Sequence, residues 1–216
     1  NHSDYQGRYA FDQQPNIGLF NLSCFAQAIL PLIDRSPAKA AELAKQELET
    51  YQSIFIKNYL KLMRQKLGLS ENHEEDQPLL EELLNLMKID NVDYTILFRR
   101  LCDFDSEDIN NNLAIRDIFM HREQFDQWAT QYQQRLLKES DADSQRSIKM
   151  KQVNPKYILR NYMAEVAINK AEEKDYSEID RLFKLLQNPF DEQPENENYA
   201  GLPPEWAQEI SVSCSS

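Results

Sequence analysis

The sequence is poor in glycine, with only 4 glycines among 216 residues. β-Rich folds and glycine-rich phosphate loops need residues with positive φ at their turns, so this scarcity disfavours both. The three cysteines, Cys24, Cys102 and Cys214, are too few and too scattered for a disulfide framework or a zinc site. Uninterrupted apolar runs are short throughout. We therefore predict no segment that crosses a membrane.

Positive charge is also scarce. The chain carries 24 Lys and Arg against 36 Asp and Glu, which gives a formal net charge of −12. Nucleic-acid binding needs clustered basic side chains, so we expect no nucleic-acid partner. The first residue is Asn1, no initiator methionine is present and no apolar signal segment follows. We therefore expect the N-terminus to be a cut. The few, scattered cysteines favour a reducing compartment.

Apolar residues at helical spacing predict an all-α fold with no strand. We expect one helical domain over residues 1–188, in which residues 1–13 are an irregular loop, and an extended tail over residues 189–216. Phe190, Tyr199 and Trp206 are the expected anchors of this tail. The cleanest helical pattern has the spacing i, i+3, i+4, i+7, i+11 and predicts a buried stripe. It comprises Phe125, Trp128, Ala129, Tyr132 and Leu136.

Prolines and a glycine mark the expected ends of the first helices. Pro15 suits a helix start, and Pro31 should kink or end that helix late. Ser36, followed by proline, is a second start signal. From there the apolar spacing predicts one long helix that Gly68 closes as a left-handed cap.

Capping residues and polar stretches organise the rest of the chain. Asp93 and Ser106 are predicted N-caps of two short helices. Residues 140–153 are polar and of mixed charge, and we predict a mobile loop there. Asn154, followed by proline, should then restart a helix that runs to about Lys174.

No catalytic residue and no metal site is predicted in this chain. His2, Ser3 and Asp4 are neighbours in sequence, but a catalytic triad is recognised by geometry, which adjacency does not supply. The three histidines His2, His73 and His121 lie far apart and lack zinc-ligand spacing. The acidic cluster of Asp103, Asp105, Glu107 and Asp108 lacks the glycine and the twelfth-position acid of an EF-hand loop. We interpret this cluster as a solvated helix start.

Arg160 has both a structural and a functional interpretation. Arg160 could pair with a carboxylate or reach a nucleotide phosphate, because its planar fork suits either partner. It is therefore the one candidate cofactor-binding residue, and both interpretations stay open. Cys24 and Cys102 lie in apolar helical patterns and are predicted to be small buried side chains.

Three blocks of the sequence resemble a known family. The chain opens with Asn-His-Ser-Asp-Tyr-Gln-Gly-Arg-Tyr-Ala-Phe, contains Asn-Pro-Lys-Tyr-Ile-Leu-Arg-Asn-Tyr-Met-Ala from Asn154, and closes with Ser-Cys-Ser-Ser. Together they resemble the C-terminal part of the selenoprotein O family, kinase-like proteins that transfer AMP from ATP to protein hydroxyls. The resemblance implies the helical, C-lobe-like part of a kinase-like fold.

The resemblance also implies that the reaction centre lies outside this chain. AMP transfer of this kind needs a lysine–glutamate pair, metal-binding Asn and Asp, and cations on the phosphates. None of these sets is found here, and in the family the first block follows shortly after the metal-binding aspartate. We therefore expect residues 1–13 to belong to the activation-segment region and the fragment alone to be inactive.

For the parent enzyme, the resemblance implies ATP and magnesium as cofactors. The implied partners are protein substrates and the missing N-terminal catalytic portion, in a cytoplasmic, bacterial protein with a mitochondrial location as the alternative. The resemblance also implies a redox role for Cys214, because family members carry selenocysteine or cysteine near the C-terminus. The alternative to an enzyme part is a non-catalytic helical interaction module.

Overall fold

The computed structural model describes residues 4–210. In that range the chain forms ten α-helices and four 3₁₀ helices without a β-strand, which confirms the all-α prediction. The α-helices are α1 (Gln14–Ile33), α2 (Pro37–Glu49), α3 (Tyr51–Lys66), α4 (Asp76–Asp90), α5 (Tyr94–Leu101), α6 (Leu113–Arg116), α7 (Arg122–Leu136), α8 (Asp143–Lys151), α9 (Asn161–Glu172) and α10 (Ser177–Gln187). The 3₁₀ helices are Phe11–Gln13, Ile109–Asn112, Pro194–Tyr199 and Glu205–Glu209.

The described residues divide into two compact units, and the division falls inside α3, between Lys61 and Leu62. The first unit contains α1, α2 and most of α3. The second unit is Leu62–Ile210. The predicted limits, 1–188 for a helical domain and 189–216 for a tail, do not coincide with this division and stay a prediction.

Helix α7 lies in the core of the second unit, as its apolar spacing predicted. All five residues of the predicted stripe are buried, and Trp128 and Tyr132 are 0% exposed. Their polar atoms are satisfied as well: Trp128 Nε1 donates to the Leu79 carbonyl at 2.9 Å, and the Tyr132 hydroxyl donates to the Leu67 carbonyl at 2.7 Å. Buried indole and phenol groups need such partners, so these bonds fix α7 against α4 and the end of α3.

The single long helix predicted after Ser36 is wrong, because it is two helices. Helix α2 ends at Glu49 and α3 begins at Tyr51. The Thr50 hydroxyl between them donates to the Glu47 carbonyl at 2.7 Å, and such side-chain bonds compete with the helical ladder. The predicted end is confirmed: Gly68 has φ +69°, and Leu69 N donates to the Arg64 carbonyl at 2.9 Å.

The predicted mobile loop over residues 140–153 is wrong, since most of it is helix α8. This helix buries Arg146 and Met150, which are 3% and 0% exposed. Arg146 donates to the Asp143 carboxylate and to the Phe104 carbonyl. A buried face that contains an arginine looks like a solvated face in the sequence, and the helix was missed for that reason.

Two predicted caps are also wrong. Ser106 does not start a helix, because its backbone N–H and hydroxyl donate to the Asp143 carboxylate at 2.7 and 2.6 Å. Asn154 does not restart one either, because its side chain is bound to α3; helix α9 begins only at Asn161. Asp93 is confirmed as the N-cap of α5, where it accepts from Ile96 N at 2.9 Å.

The described part of the predicted tail is folded onto the second unit. Tyr199 is 8% exposed and belongs to a cluster with Tyr157, Met163 and Leu185. Phe190 and Trp206, the other expected anchors, are 40% and 49% exposed. Of the three expected anchors, Tyr199 is the buried one.

Helix α1 in the first unit has no buried residue. Cys24, which we predicted to be buried, is exposed. The segment Phe11–Ile33 contains an 18-residue window of mean hydropathy 1.5 and is, by length and composition alone, apolar enough to cross a membrane. Core helices and signal sequences pass the same test. Polar residues such as Asn21, Ser23 and Gln27 break this helix into short apolar runs, which is why no such segment was predicted.

Candidate functional site: the segment between α8 and α9

Asn154 lies near the start of the segment between α8 and α9 and joins three parts of the second unit. Its side chain is fully buried, and Nδ2 donates to the Lys66 carbonyl at 2.8 Å. Lys66 Nζ returns a bond to Asn154 Oδ1 at 3.1 Å, and the Asn154 carbonyl accepts from Arg99 at 3.0 Å. The asparagine thus links the end of α3, helix α5 and the end of α8.

Lys156 and Tyr157 hold the beginning of the tail. Their backbone N–H groups both donate to the Pro189 carbonyl, at 2.8 and 3.1 Å. Lys156 Nζ lies 2.6 Å from Glu192 Oε2 and 2.5 Å from Glu197 Oε2, and Arg99 binds the other oxygen of Glu192 at 2.7 Å. Hydrogen bonds from Lys156 and then from Arg99 lower the pKa of Glu192 to about 2.

Arg160 ends the segment in a two-pronged ion pair with Asp93. The distances from Arg160 Nη1 to Asp93 Oδ2 and from Nη2 to Oδ1 are 2.7 and 3.1 Å. Burial on its own would raise the pKa of Asp93, but the hydrogen bonds from Arg160 and from Ile96 N outweigh it and hold this pKa below its usual value. Of the two interpretations, the structure contains the carboxylate pair. A phosphate contact of Arg160 stays a prediction.

A cleft of about 830 Å³ lies beside this segment within the second unit. Three cations line it, namely Arg99, Arg100 and Lys156. Six carboxylates line it too: Asp90, Asp93, Asp103, Asp117, Glu192 and Glu197. Because carboxylates outnumber cations and already engage Arg99 and Lys156, the cleft disfavours a polyphosphate ligand.

The acidic residues considered in the sequence serve local structure. Asp105 accepts from the backbone N–H groups of Glu107 and Asp108 at 2.9 and 2.8 Å. Asp103 pairs with Lys151 at 2.7 Å. Among residues 4–210, no group of three or more His, Cys, Asp or Glu is arranged to hold a metal ion.

The opening block forms a closed turn in its described part. The Asp4 carboxylate accepts from Arg8 N at 2.9 Å and from Tyr9 N at 2.7 Å, and Gly7 has φ +65°. Because glycine adopts positive φ without steric cost, Gly7 suits this turn. Tyr5 is 95% exposed.

Each of the two described histidines lies beside a carboxylate. His73 is 3.3 Å from Glu71, and His121 Nδ1 is 2.5 Å from Asp90. Cys102 is buried as predicted, and burial raises the pKa of its thiol. Three residues that the sequence analysis considered lie outside the described range: His2, Ser3 and Cys214.

One buried ionic cluster escaped the sequence analysis. Arg135, 2% exposed, binds Asp76 at 2.6 Å and Glu139 at 2.7 Å, and donates to the Glu71 carbonyl at 2.9 Å. The sequence did indicate that Arg135 is buried, since it lies three residues after Tyr132 and so on the same buried face of α7. Each charge has a partner, so the cluster joins α4 to α7 as structure.

Comparison with known proteins shows similarity along the whole chain. Residues 1–187 match the family model of protein adenylyltransferase SelO. Relatives named protein nucleotidyltransferase YdiU include one from Thioalkalivibrio sulfidiphilus, 51% identical over 216 residues, which are 100% of this chain and 44% of the relative. The relative from Cupriavidus metallidurans is 44% identical, over 100% of this chain and 41% of its own length. The chain therefore spans less than half the length of these curated relatives.

Proposed function

Because the chain belongs to the SelO family of protein adenylyltransferases, we propose that it is the C-terminal, helical part of an enzyme that transfers AMP from ATP to Ser, Thr or Tyr hydroxyls of proteins. The observation that carries the proposal is the family match over residues 1–187. Relatives that are more than twice as long leave room for a catalytic portion outside these residues.

In this proposal the parent enzyme binds ATP and magnesium through residues outside the chain. The oxygen of a substrate hydroxyl attacks the α-phosphorus and gives up its proton to a base of the parent enzyme. The bond from the α-phosphorus to the bridging oxygen breaks, and pyrophosphate leaves with that oxygen. Residues 4–210 supply a scaffold of kinase C-lobe type, in which Arg99, Lys156 and Arg160 hold carboxylates of their own chain. Because these three cations are already paired, we place the residues that contact the ATP phosphates outside the chain. The two relatives named above are bacterial, and we place the parent in the bacterial cytoplasm.

The test compares residues 1–216 with the longer polypeptide of a full-length family member. Each is incubated with magnesium, a generic protein acceptor and ATP labelled at the α-phosphate. We expect labelled acceptor with the longer polypeptide alone. ATP labelled at the γ-phosphate is the control, because label from it would mean phosphoryl transfer. Metal-dependent labelling by residues 1–216 would contradict the proposal and direct attention to Asp103, Asp105 and Arg160.

A non-catalytic interaction module is the second candidate, and an apolar groove favours it. The groove lies between α9 and α10 and has a volume of about 670 Å³. Leu159, Ile168 and Phe183 line it and are 57%, 54% and 65% exposed. Exposed apolar patches of this kind mark interaction sites. A longer polypeptide that transfers no AMP would favour this candidate.

We also propose that Cys214 forms a redox contact with the segment around or just before Asn1 in the parent enzyme. Cys102 is a poor partner, since it is fully buried. Cys24 is exposed, so burial does not rule it out as a partner of Cys214. The test is peptide mapping of the oxidised full-length protein, with Cys24→Ala and Cys214→Ala variants. A Cys214 that stays alkylatable under oxidising conditions would rule the contact out.

A further inference from the structure

Helix α1 carries no charged residue and leaves much of its apolar surface exposed. Its twenty residues include no Asp, Glu, Lys or Arg, and none of them is buried. Phe25 is 60% exposed and Leu32 is 85% exposed. A helix without charge and with this much apolar surface is normally covered, by a protein core or by a membrane.

An apolar groove of about 460 Å³ extends this surface onto α2 and α3. Its lining includes Phe25, Ile29, Leu43, Leu48 and Ile54. The polar rim is small, so an occupant would meet mainly hydrocarbon.

The groove is held in shape by a specific contact between α1 and α3. The Tyr51 hydroxyl donates to the Pro15 carbonyl at 2.9 Å. A Cβ at Gly18 would lie 2.9 Å from that hydroxyl, so glycine is what allows α1 to approach so closely. The apolar face is therefore presented by a packed unit.

We propose that α1 and this groove are the surface on which the remaining part of the full-length polypeptide packs. The occupant is a mainly apolar face, because α1 has no charged residue and Glu47 of α2 is the one charged residue among those that line the groove. More than half the length of the curated relatives lies outside the matched residues, which supplies the required chain. The inference rests on the proposed function only in requiring that these residues are part of a longer protein.

A membrane fits this surface less well. Helix α1 packs on α2, which carries five charged residues among thirteen, so insertion of α1 would have to strip it from this charged neighbour. Asn21, Ser23 and Gln27 also interrupt its apolar surface. A second copy of the chain would also cover α1. The part of the longer polypeptide outside these residues would then have no apolar surface here on which to pack.

The test measures hydrogen exchange of peptides from α1 in residues 1–216 alone and in the longer polypeptide. We expect exchange at least about tenfold slower in the longer polypeptide, because α1 is covered there. Peptides from α7, buried in the described structure, are the control and should exchange equally in both. Equal exchange of α1 in the two proteins would overturn the inference.

A charge placed in the groove gives a second measurement. Phe25→Glu should lower the melting temperature of the longer polypeptide and leave that of residues 1–216 unchanged or raised. Ile148→Glu is the matched control, since Ile148 on α8 is 62% exposed and lies outside the groove. Equal effects of Phe25→Glu on both proteins would contradict the packing.

The other two occupants give distinct results that would also overturn the inference. A dimer of the longer polypeptide in light scattering that Phe25→Glu dissociates would assign the groove to a second copy. Co-sedimentation with phosphatidylethanolamine–phosphatidylglycerol vesicles, lost in Phe25→Glu, would assign it to a membrane. If α1 is covered in a longer polypeptide that transfers no AMP, the packing is supported and the proposed function is contradicted. If the longer polypeptide transfers AMP but leaves α1 uncovered, the proposed function is supported and the packing is contradicted.

Discussion

Arg160 and Asp93 lie 67 residues apart in the sequence and form a two-pronged ion pair at 2.7 and 3.1 Å. Asp93 is the N-cap of α5, and Arg160 immediately precedes α9. The pair therefore ties the beginnings of two helices together. Both side chains are mostly shielded, with 11% and 19% exposed.

Arg160→Lys should lower the free energy of unfolding by about 1–3 kcal/mol, because an ammonium group cannot reproduce the two-pronged geometry. Urea denaturation measures the change. Arg122→Lys is the matched control: Arg122 pairs with Asp117 at an exposed site, where the loss should stay below about 1 kcal/mol. If Arg160→Lys left stability unchanged but reduced AMP transfer by the longer polypeptide, the phosphate interpretation of Arg160 would be favoured instead.

Gly68→Ala should destabilise the second unit by about 2–4 kcal/mol. Gly68 has φ +69°, and an added Cβ would lie 2.6 Å from Arg146 Cγ and 2.7 Å from Met150 Sδ. Left-handed backbone and overpacking each cost on the order of 1–3 kcal/mol. Gly201→Ala is the control, since nothing lies within 4 Å of its added Cβ. Similar thermal unfolding of the two variants would mean that the α3–α8 packing is wrong.

Trp128→Ala should cost about 3–5 kcal/mol, since the side chain is fully buried and its indole N–H is bonded to Leu79. Chemical denaturation followed by circular dichroism supplies the value. Trp206→Ala, at a residue 49% exposed, should cost clearly less. A loss below about 1 kcal/mol for Trp128→Ala would show that α7 presents a different face.

Acid should weaken the attachment of the tail. The pKa of Glu192 falls from 4.5 to about 2 on folding, owing to Lys156 and Arg99. A lowered pKa means that the stabilisation is complete above pH 4.5 and is lost as the pH falls towards 2. Glu192→Gln should therefore be less stable than the unchanged protein at pH 7, and the difference should shrink below pH 4.5. Glu205→Gln, at an exposed position, is the control. A difference that does not depend on pH, measured by urea unfolding across this range, would show that the ion pairs do not form.

The sequence alone revealed the family resemblance and predicted an all-α fold. It also predicted the buried face of α7, the N-cap at Asp93 and the left-handed conformation of Gly68. These features depend on apolar spacing and on backbone preferences, which act over a few neighbouring residues. The break at Thr50 was missed because the apolar spacing continues from α2 into α3. Cys24 was misplaced because its helix is apolar but uncovered in the described structure.

Where apolar residues recur at helical spacing, the sequence by itself therefore determined that the stretch is a helix. Only the tertiary structure decided what the buried polar side chains do. Asn154 was predicted to start a helix, yet its side chain is bound to Lys66. Arg146 falls in the predicted mobile loop, yet it is buried and donates to the Phe104 carbonyl and the Asp143 carboxylate. A polar group can be buried only where partners satisfy its hydrogen bonds. Those partners come from residues that are distant in sequence, and no local pattern records them.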